Sequence, residues 1–301
     1  MGLKEETMNN IRRRKSSAVR DGKSLKAAKI VIFIIFVFYA ASLLFPFVWM
    51  IFNSFKENSE FFQNVWAWPK DIANGWKNFV YAMSMKAGDS GILMMTFRSL
   101  YLSVGGTVLS LCSATAISYV VAKYEFPGRS LIYFVAVAVM IIPMIGTTST
   151  TYKLIGDLGL LDNPLALLLL NSGGFGFQFL LLYSSFRSIS PAYKEAASID
   201  GAGDFMVFSK IMIPMILPTI APLAVLDFIG FWNDYFAPYL YMKGKPTLAV
   251  GLQFMVAQMT YNANWPALFS LMVFSMLPVI ILFICFQKQI LANFTAGGLK
   301  G

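Results

Sequence analysis

The densest run of chemistry-bearing residues lies at 187–214, RSISPAYKEAASIDGAGDFMVFSKIMIP. Its chemistry is that of docking rather than bond-making. Ser190 followed by Pro191 predicts a helix N-cap and a first-turn proline. Residues 192–200 then predict a short helix, and Gly201 supplies the left-handed residue that ends it. Asp204 is expected to cap a second helix running through Lys210 into the next apolar stretch. The product is a helix–turn–helix elbow. Ala196 and Ala197 would give it a smooth, small surface, and Glu195 and Asp200 would offer carboxylates to a cationic partner. An ordinary amphipathic loop helix fits the same residues.

A second group is sparser. Asp227 is the only formal charge within an otherwise apolar window, 211–232, and Trp232 and Asn233 follow it. A carboxylate in a membrane is costly and normally faces a cavity or a partner. With a ring and an amide nearby it could meet a sugar, or it could serve as a hydrogen bond between helices. Pro214, Pro218 and Pro222 recur at the start of the same window and would weaken its hydrogen-bond ladder, as a hinge or as ordinary membrane-helix prolines.

Several chemistries are excluded. The chain has no histidine, so imidazole acid–base catalysis and imidazole metal ligation are absent. Cys112 and Cys285 both sit in apolar runs, where a thiolate is disfavoured, and are expected to act as small packing residues. No phosphate-binding G-x-x-x-x-G-K-[ST] loop occurs. Gly173-Gly174-Phe175-Gly176 lies inside an apolar window and predicts close helix packing or a kink. The chain is therefore expected to need no cofactor of its own and to hold no metal.

The elements that must position these residues are membrane helices. Of 301 residues, 57% are hydrophobic and 13% charged, with a mean hydropathy of +0.64, too little charge to cover a soluble protein of this size. A spanning helix needs about 20 apolar residues. Six windows qualify, at 30–52, 99–122, 130–152, 163–186, 211–232 and 266–287. The apolar stretch 246–258 is too short to cross and predicts a re-entrant or interfacial segment. The 99–122 window carries Ser103, Gly106, Ser110, Ser113 and Ala114 on one stripe, which suits close helix pairing.

Charge sets the orientation. The net charge is +9, and residues 1–29 hold nine basic residues against three acidic ones just before the first window. That placement marks a cytoplasmic tail rather than a nucleic-acid site, and the long apolar core that follows is a retained helix rather than a signal peptide. Both termini (1–29 and 288–301) and the elbow then fall on the cytoplasmic side. The 53–98 connection is outside and rich in Trp66, Trp68 and Trp76, which suits a loop at the headgroup level.

The run Glu195-Ala196-Ala197, then Asp200-Gly201-Ala202, then Ile211, Ile213 and Pro214, resembles the EAA loop of ABC importer permeases, with Gly201 and Ile211 at that family's spacings and Ile213 replacing its leucine. Phe126-Pro127-Gly128-Arg129, Leu158-Gly159-Leu160-Leu161-Asp162, Trp232-Asn233-Asp234-Tyr235-Phe236-Ala237-Pro238 and the tail Gly297-Gly298-Leu299-Lys300-Gly301 resemble the maltose-type, carbohydrate-importing branch. The resemblance covers roughly residues 25–301.

It implies an all-α, six-helix type I permease fold in a bacterial or archaeal cell membrane, working with a second permease subunit, two cytoplasmic ATPase subunits that bind ATP and Mg, and an external solute-binding protein. By that likeness Glu195 pairs with a basic ATPase residue, Gly201 permits the turn, and the glycine-rich tail reaches the ATPases. The rival readings are the same machine for an amino acid, osmolyte or peptide, and a secondary carrier. A membrane-embedded enzyme would need acid–base pairs the chain does not offer.

Overall fold

The computed structural model describes residues 2–142, 146–259 and 263–297, with side chains between residues 25 and 288. Side chains of the basic tail before residue 25 and the end of the chain at 298–301 lie outside these.

Helix α1 (Gly2–Ser54) carries the first apolar window. It ends where Asn53 and Ser54 donate back to the carbonyls of Trp49 and Ile51. Lys56 follows, fully buried, and its ammonium donates to the carbonyls of Asn64 and Val65 at 3.1 Å each. Burial lowers its pKa, partly opposed by the nearby carboxylate of Glu60. The 53–98 connection is thus folded, with α2 (Asn58–Gln63), α3 (Ile72–Ser84) and an antiparallel hairpin of Lys86–Ala87 with Ser90–Gly91. Gly75 sits where a Cβ would lie 2.4 Å from the Phe55 carbonyl oxygen, so α3 can rest on the end of α1 only through glycine. The rings of Trp66, Trp68 and Trp76 stay exposed while touching Phe45, Phe52 and Phe55.

Helix α4 (Ile92–Lys123) is the central post. Its stripe of small residues is buried as expected, with Ser103 and Ala114 at 0% exposure, and Ser110 and Gly106 also enclosed. Around this post the next two apolar windows each fold as two helices. Helices α5 (Arg129–Ile141) and α6 (Thr147–Asp157) replace the continuous 130–152 span, and α7 (Pro164–Asn171) and α8 (Phe177–Ser188) replace the 163–186 span. Gly176, at φ +104°, provides the break before α8. At Gly174 a Cβ would lie 2.2 Å from the Ser110 carbonyl oxygen, so the break itself is pressed against α4. The Gly173–Gly176 motif is both kink and close packing.

Beyond α8 come α9 (Ala192–Ile199), α10 (Asp204–Val207), a π-helical turn at Phe208–Met212, and α11 (Ile213–Asn233), which packs along α4 and α8. Ahead of helix α12 (Phe236–Tyr241), whose N-cap position is Tyr235, Asp234 accepts from the amides of Phe236 and Ala237. Helix α13 (Leu248–Gln258) is short, as the 246–258 stretch requires. Helix α14 (Trp265–Gly297) closes the bundle against α1, α3 and α11. Among the described residues four helices are long and apolar enough to cross a membrane unbroken: Leu25–Ser54, Ile92–Lys123, Asp204–Asn233 and Trp265–Lys288. Cys112 and Cys285 are exposed on the helix surface rather than packed inside it.

Candidate functional site

The elbow is built from three locks. At its start Ser190 accepts from the Ala192 amide at 3.3 Å, and the amides of Lys194 and Glu195 both bond to the Pro191 carbonyl. At its turn Gly201 adopts φ +79°, its amide donates to Ser198 O at 3.1 Å, and the Ala202 amide donates to Ala197 O at 2.9 Å. That 5→2 and 6→1 pair is a Schellman motif, which ends a helix without leaving its last carbonyls unpaired. Space around Gly201 is open, so its backbone angle alone demands glycine.

The third lock lies outside the expected pattern. Asp204 does not cap α10; Gly203 holds that position and Asp204 occupies the first turn. Its carboxylate instead pairs with Lys194 at 3.4 Å, and the Lys194 ammonium sits 3.7 Å from the centroid of the Tyr124 ring. The Tyr124 hydroxyl and then the Lys194 ammonium hold the Asp204 carboxyl below the usual carboxylate range. Lys123 donates to the Ile189 carbonyl at 2.6 Å. Both sides of the elbow are thus fastened to the end of α4. Lys194, Tyr124 and Lys123 were not singled out from sequence, because their partners are brought in by the fold.

Ala197 turns inward at 7% exposure, in a cluster with Tyr119, Phe186, Val207 and Met212. Ala196 faces out, so only one of the two alanines contributes to the outer surface. Glu195 and Asp200 are exposed, and Ile199 and Phe205 stand out at 87% and 80% on either side of the Gly201 turn. Pro214 is the second residue of α11, just after the π turn; lacking an N–H, it leaves one carbonyl of the preceding turn without its usual donor.

In the interior, Asp227 is tied across three helices. Ser110 on α4 donates to Gln178 Oε1 at 2.8 Å, and Gln178 on α8 donates to Asp227 Oδ1 on α11. The other carboxylate oxygen, Oδ2, is enclosed without a hydrogen-bond partner among the described residues. Gln178, an amide inside a charge-free window, is the sequence signal for this line. Trp232 does not join Asp227: it is 4% exposed, stacked on Phe228, and donates its indole N–H to the Ser275 carbonyl at 3.0 Å. Asn233 is exposed and donates to the Ile229 carbonyl.

A profile described as "binding-protein-dependent transport system inner membrane component" matches residues 19–294. The chain belongs to that family. This inner membrane component is 29% identical over 264 residues to the diacetylchitobiose uptake system permease protein NgcG of Streptomyces coelicolor, covering 87% of this chain and 85% of that one. It is 27% identical over 299 residues to the arabinooligosaccharides transport system permease protein AraQ of Bacillus subtilis, covering 94% and 100%. Among solved structures, a bacterial ABC transporter involved in import of the acidic polysaccharide alginate superposes with a TM-score of 0.74 at 25% identity, covering 87% of this chain and 96% of that one. The family component is thus an all-α, multi-pass membrane permease of an ABC transport system, and a transport subunit rather than an enzyme.

Proposed function

We propose that this permease forms half of the translocation pathway of an ATP-driven oligosaccharide importer, and that its elbow docks into a cleft of a separate ATPase subunit that binds ATP and Mg. The elbow carries the reading. It is locked at both ends and at its turn, yet presents Ile199 and Phe205 almost fully to solvent beside Glu195 and Asp200. Burying such side chains is worth about 1.5–3 kcal/mol each, and a rigid surface that leaves that unused suits a partner's groove. A stiff elbow also transmits rigid-body closure of the ATPases into α11 better than a loose loop. Glu195 is assigned the pairing with a basic ATPase residue. Ala196 lies in the contact, while Ala197, Gly201, Ala202 and Pro214 hold its shape.

The orientation follows from the basic tail: both termini and the elbow on the cytoplasmic side, the folded 53–91 segment outside, facing a solute-binding protein. A second permease subunit supplies the other half of the pathway. For the six crossings, the α5–α6 and α7–α8 pairs each act as one interrupted span; interrupted backbone is tolerated where it is buried in protein or lines a watery cavity. The sugar assignment is supported by relatives named for diacetylchitobiose, arabinooligosaccharides, and melibiose, raffinose and stachyose. Of the pathway candidates, Asp227 and Asn233 keep the polar role, and the buried ring of Trp232 is assigned to packing.

The test uses the reconstituted assembly with loaded binding protein. Glu195→Gln and Ile199→Ser should lower solute-stimulated ATP hydrolysis about tenfold or more while the complex remains intact. Parental hydrolysis and uptake in both variants would sink the docking role. Uptake across a panel of oligosaccharides, amino acids and osmolytes checks the solute separately.

A further inference from the structure

A cleft opens between α5 and α8, beside the start of the elbow and apart from the Asp227 line. It has a volume of about 510 Å³ and is lined by Glu125, Phe126, Arg129, Ser130, Tyr133, Tyr183 and Arg187. Its polar groups converge from two helices. Arg187 Nη1 donates to the Tyr183 hydroxyl at 2.8 Å, and its guanidinium lies 5.9 Å from the Tyr183 ring centroid. The rings of Tyr133 and Tyr183 meet at 5.1 Å. Arg129 is held on the other wall, Nη1 donating to the Tyr124 carbonyl at 3.4 Å.

Gly128, at φ +93°, delivers Arg129 to the first position of α5, whose N-terminus has no side-chain cap. Neither arginine is in an ion pair among the described residues, where Lys194 and Asp204 form one. Glu125 is the carboxylate in the lining; it lies exposed on the α4–α5 connection. Two guanidinium groups, a tyrosine pair and a serine hydroxyl therefore share one open cleft with an uncapped helix N-terminus.

The surroundings favour one source of anion. Arg129 and Arg187 flank apolar windows 130–152 and 163–186, the depth at which a lipid phosphate sits. One residue on from Ser130 and Tyr133, Leu131 and Phe134 are exposed at 64% and 67% on α5, an apolar face along which acyl chains can lie. Basic pockets between membrane helices hold anionic headgroups by this combination. The volume is of the size that takes a small polar group. We propose that this cleft binds the phosphodiester headgroup of an anionic phospholipid, with the forked donors of Arg129 and Arg187 on the phosphate oxygens and Tyr133 and Ser130 at the headgroup. The assignment depends on the membrane placement of these helices and on neither the ATPase nor the sugar reading.

The full-length chain, purified with whatever subunits accompany it, is placed in nanodiscs of phosphatidylcholine alone or mixed equally with phosphatidylglycerol, and bound lipid is read by native mass spectrometry. The parent should retain phosphatidylglycerol over phosphatidylcholine. Each arginine is worth about fivefold in retention near an anionic surface, so Arg129→Gln with Arg187→Gln should cost about twenty-five-fold, Arg187→Gln alone about fivefold, and the equal charge loss Lys210→Gln nothing. The single variant decides the matter if the double one does not fold. Equal retention of both lipids, or retention indifferent to Arg187, overturns the proposal. So does displacement of the lipid by millimolar inorganic phosphate, which would make the site one for free phosphate. Loss of an accompanying subunit from the variants without any lipid preference would give the cleft to a protein and overturn it equally.

Discussion

Asp204 shows how one side chain can change employment between sequence and fold. Expected as a cap, it lies across the Gly201 turn from Lys194, and the two close the elbow like a clasp over Tyr124. Because its folded pKa lies below the ordinary value, the contribution is present at neutral pH and is lost as pH falls below about 4 through the folded value. Asp204→Asn should therefore speed amide exchange across 192–204 at pH 7, and the difference from the parent should fade in acid. Equal exchange at pH 7 would show the clasp to be idle.

Legibility at this scale divides by range. Gly201 and Ser190 were readable because turn and cap chemistry is local; the backbone angle and the amide partner lie within a few residues. The inward turn of Ala197, the burial of Trp232 and the partnership of Gln178 with Asp227 were not, since each is decided by a helix distant in sequence.

Among elements, four of the six apolar windows lie on helices long and apolar enough to cross a membrane, and the other two fold as two shorter helices each. A window of charge-free residues has the right composition whether or not its backbone is continuous, and glycine in a lipid-facing helix is common. Only the contact of Gly174 with Ser110 and the positive φ of Gly176 reveal that the fourth window folds as two pieces. Gly174→Val would push a branched side chain into the α4 backbone. Overpacking of that kind costs about 1–3 kcal/mol, and more where the obstacle is main chain. Fluorescence size exclusion of the solubilised variant should show a large loss of monodisperse protein; an unchanged peak would mean that α7 and α8 are free to move off the post.

For the whole molecule, one of the short family-like motifs is a tie between distant connections. Asp162, in the left-handed region at φ +57°, accepts from the Gly244 amide at 2.7 Å, while its own amide donates to Tyr241 O at 2.8 Å. The Leu158–Asp162 motif is thus a bracket for the turn after α12. A charge-assisted bond of this kind is worth about 1.5–3 kcal/mol. Asp162→Ala should expose the 242–245 turn, seen as faster tryptic cleavage after Lys243, the cut after Lys245 being blocked by Pro246. Parental cleavage would show that other contacts hold the turn.

The wide π turn at Phe208–Met212 has a geometric effect on everything downstream. An α-helix advances its side chains by about 100° per residue, so one extra residue wound into a single ring re-indexes the whole of α11 by that angle. The compass bearing on which Asp227 finds Gln178 is therefore chosen some four turns away, at the doorstep of the elbow. Rewinding that ring would swing the carboxylate without bending the helix at all.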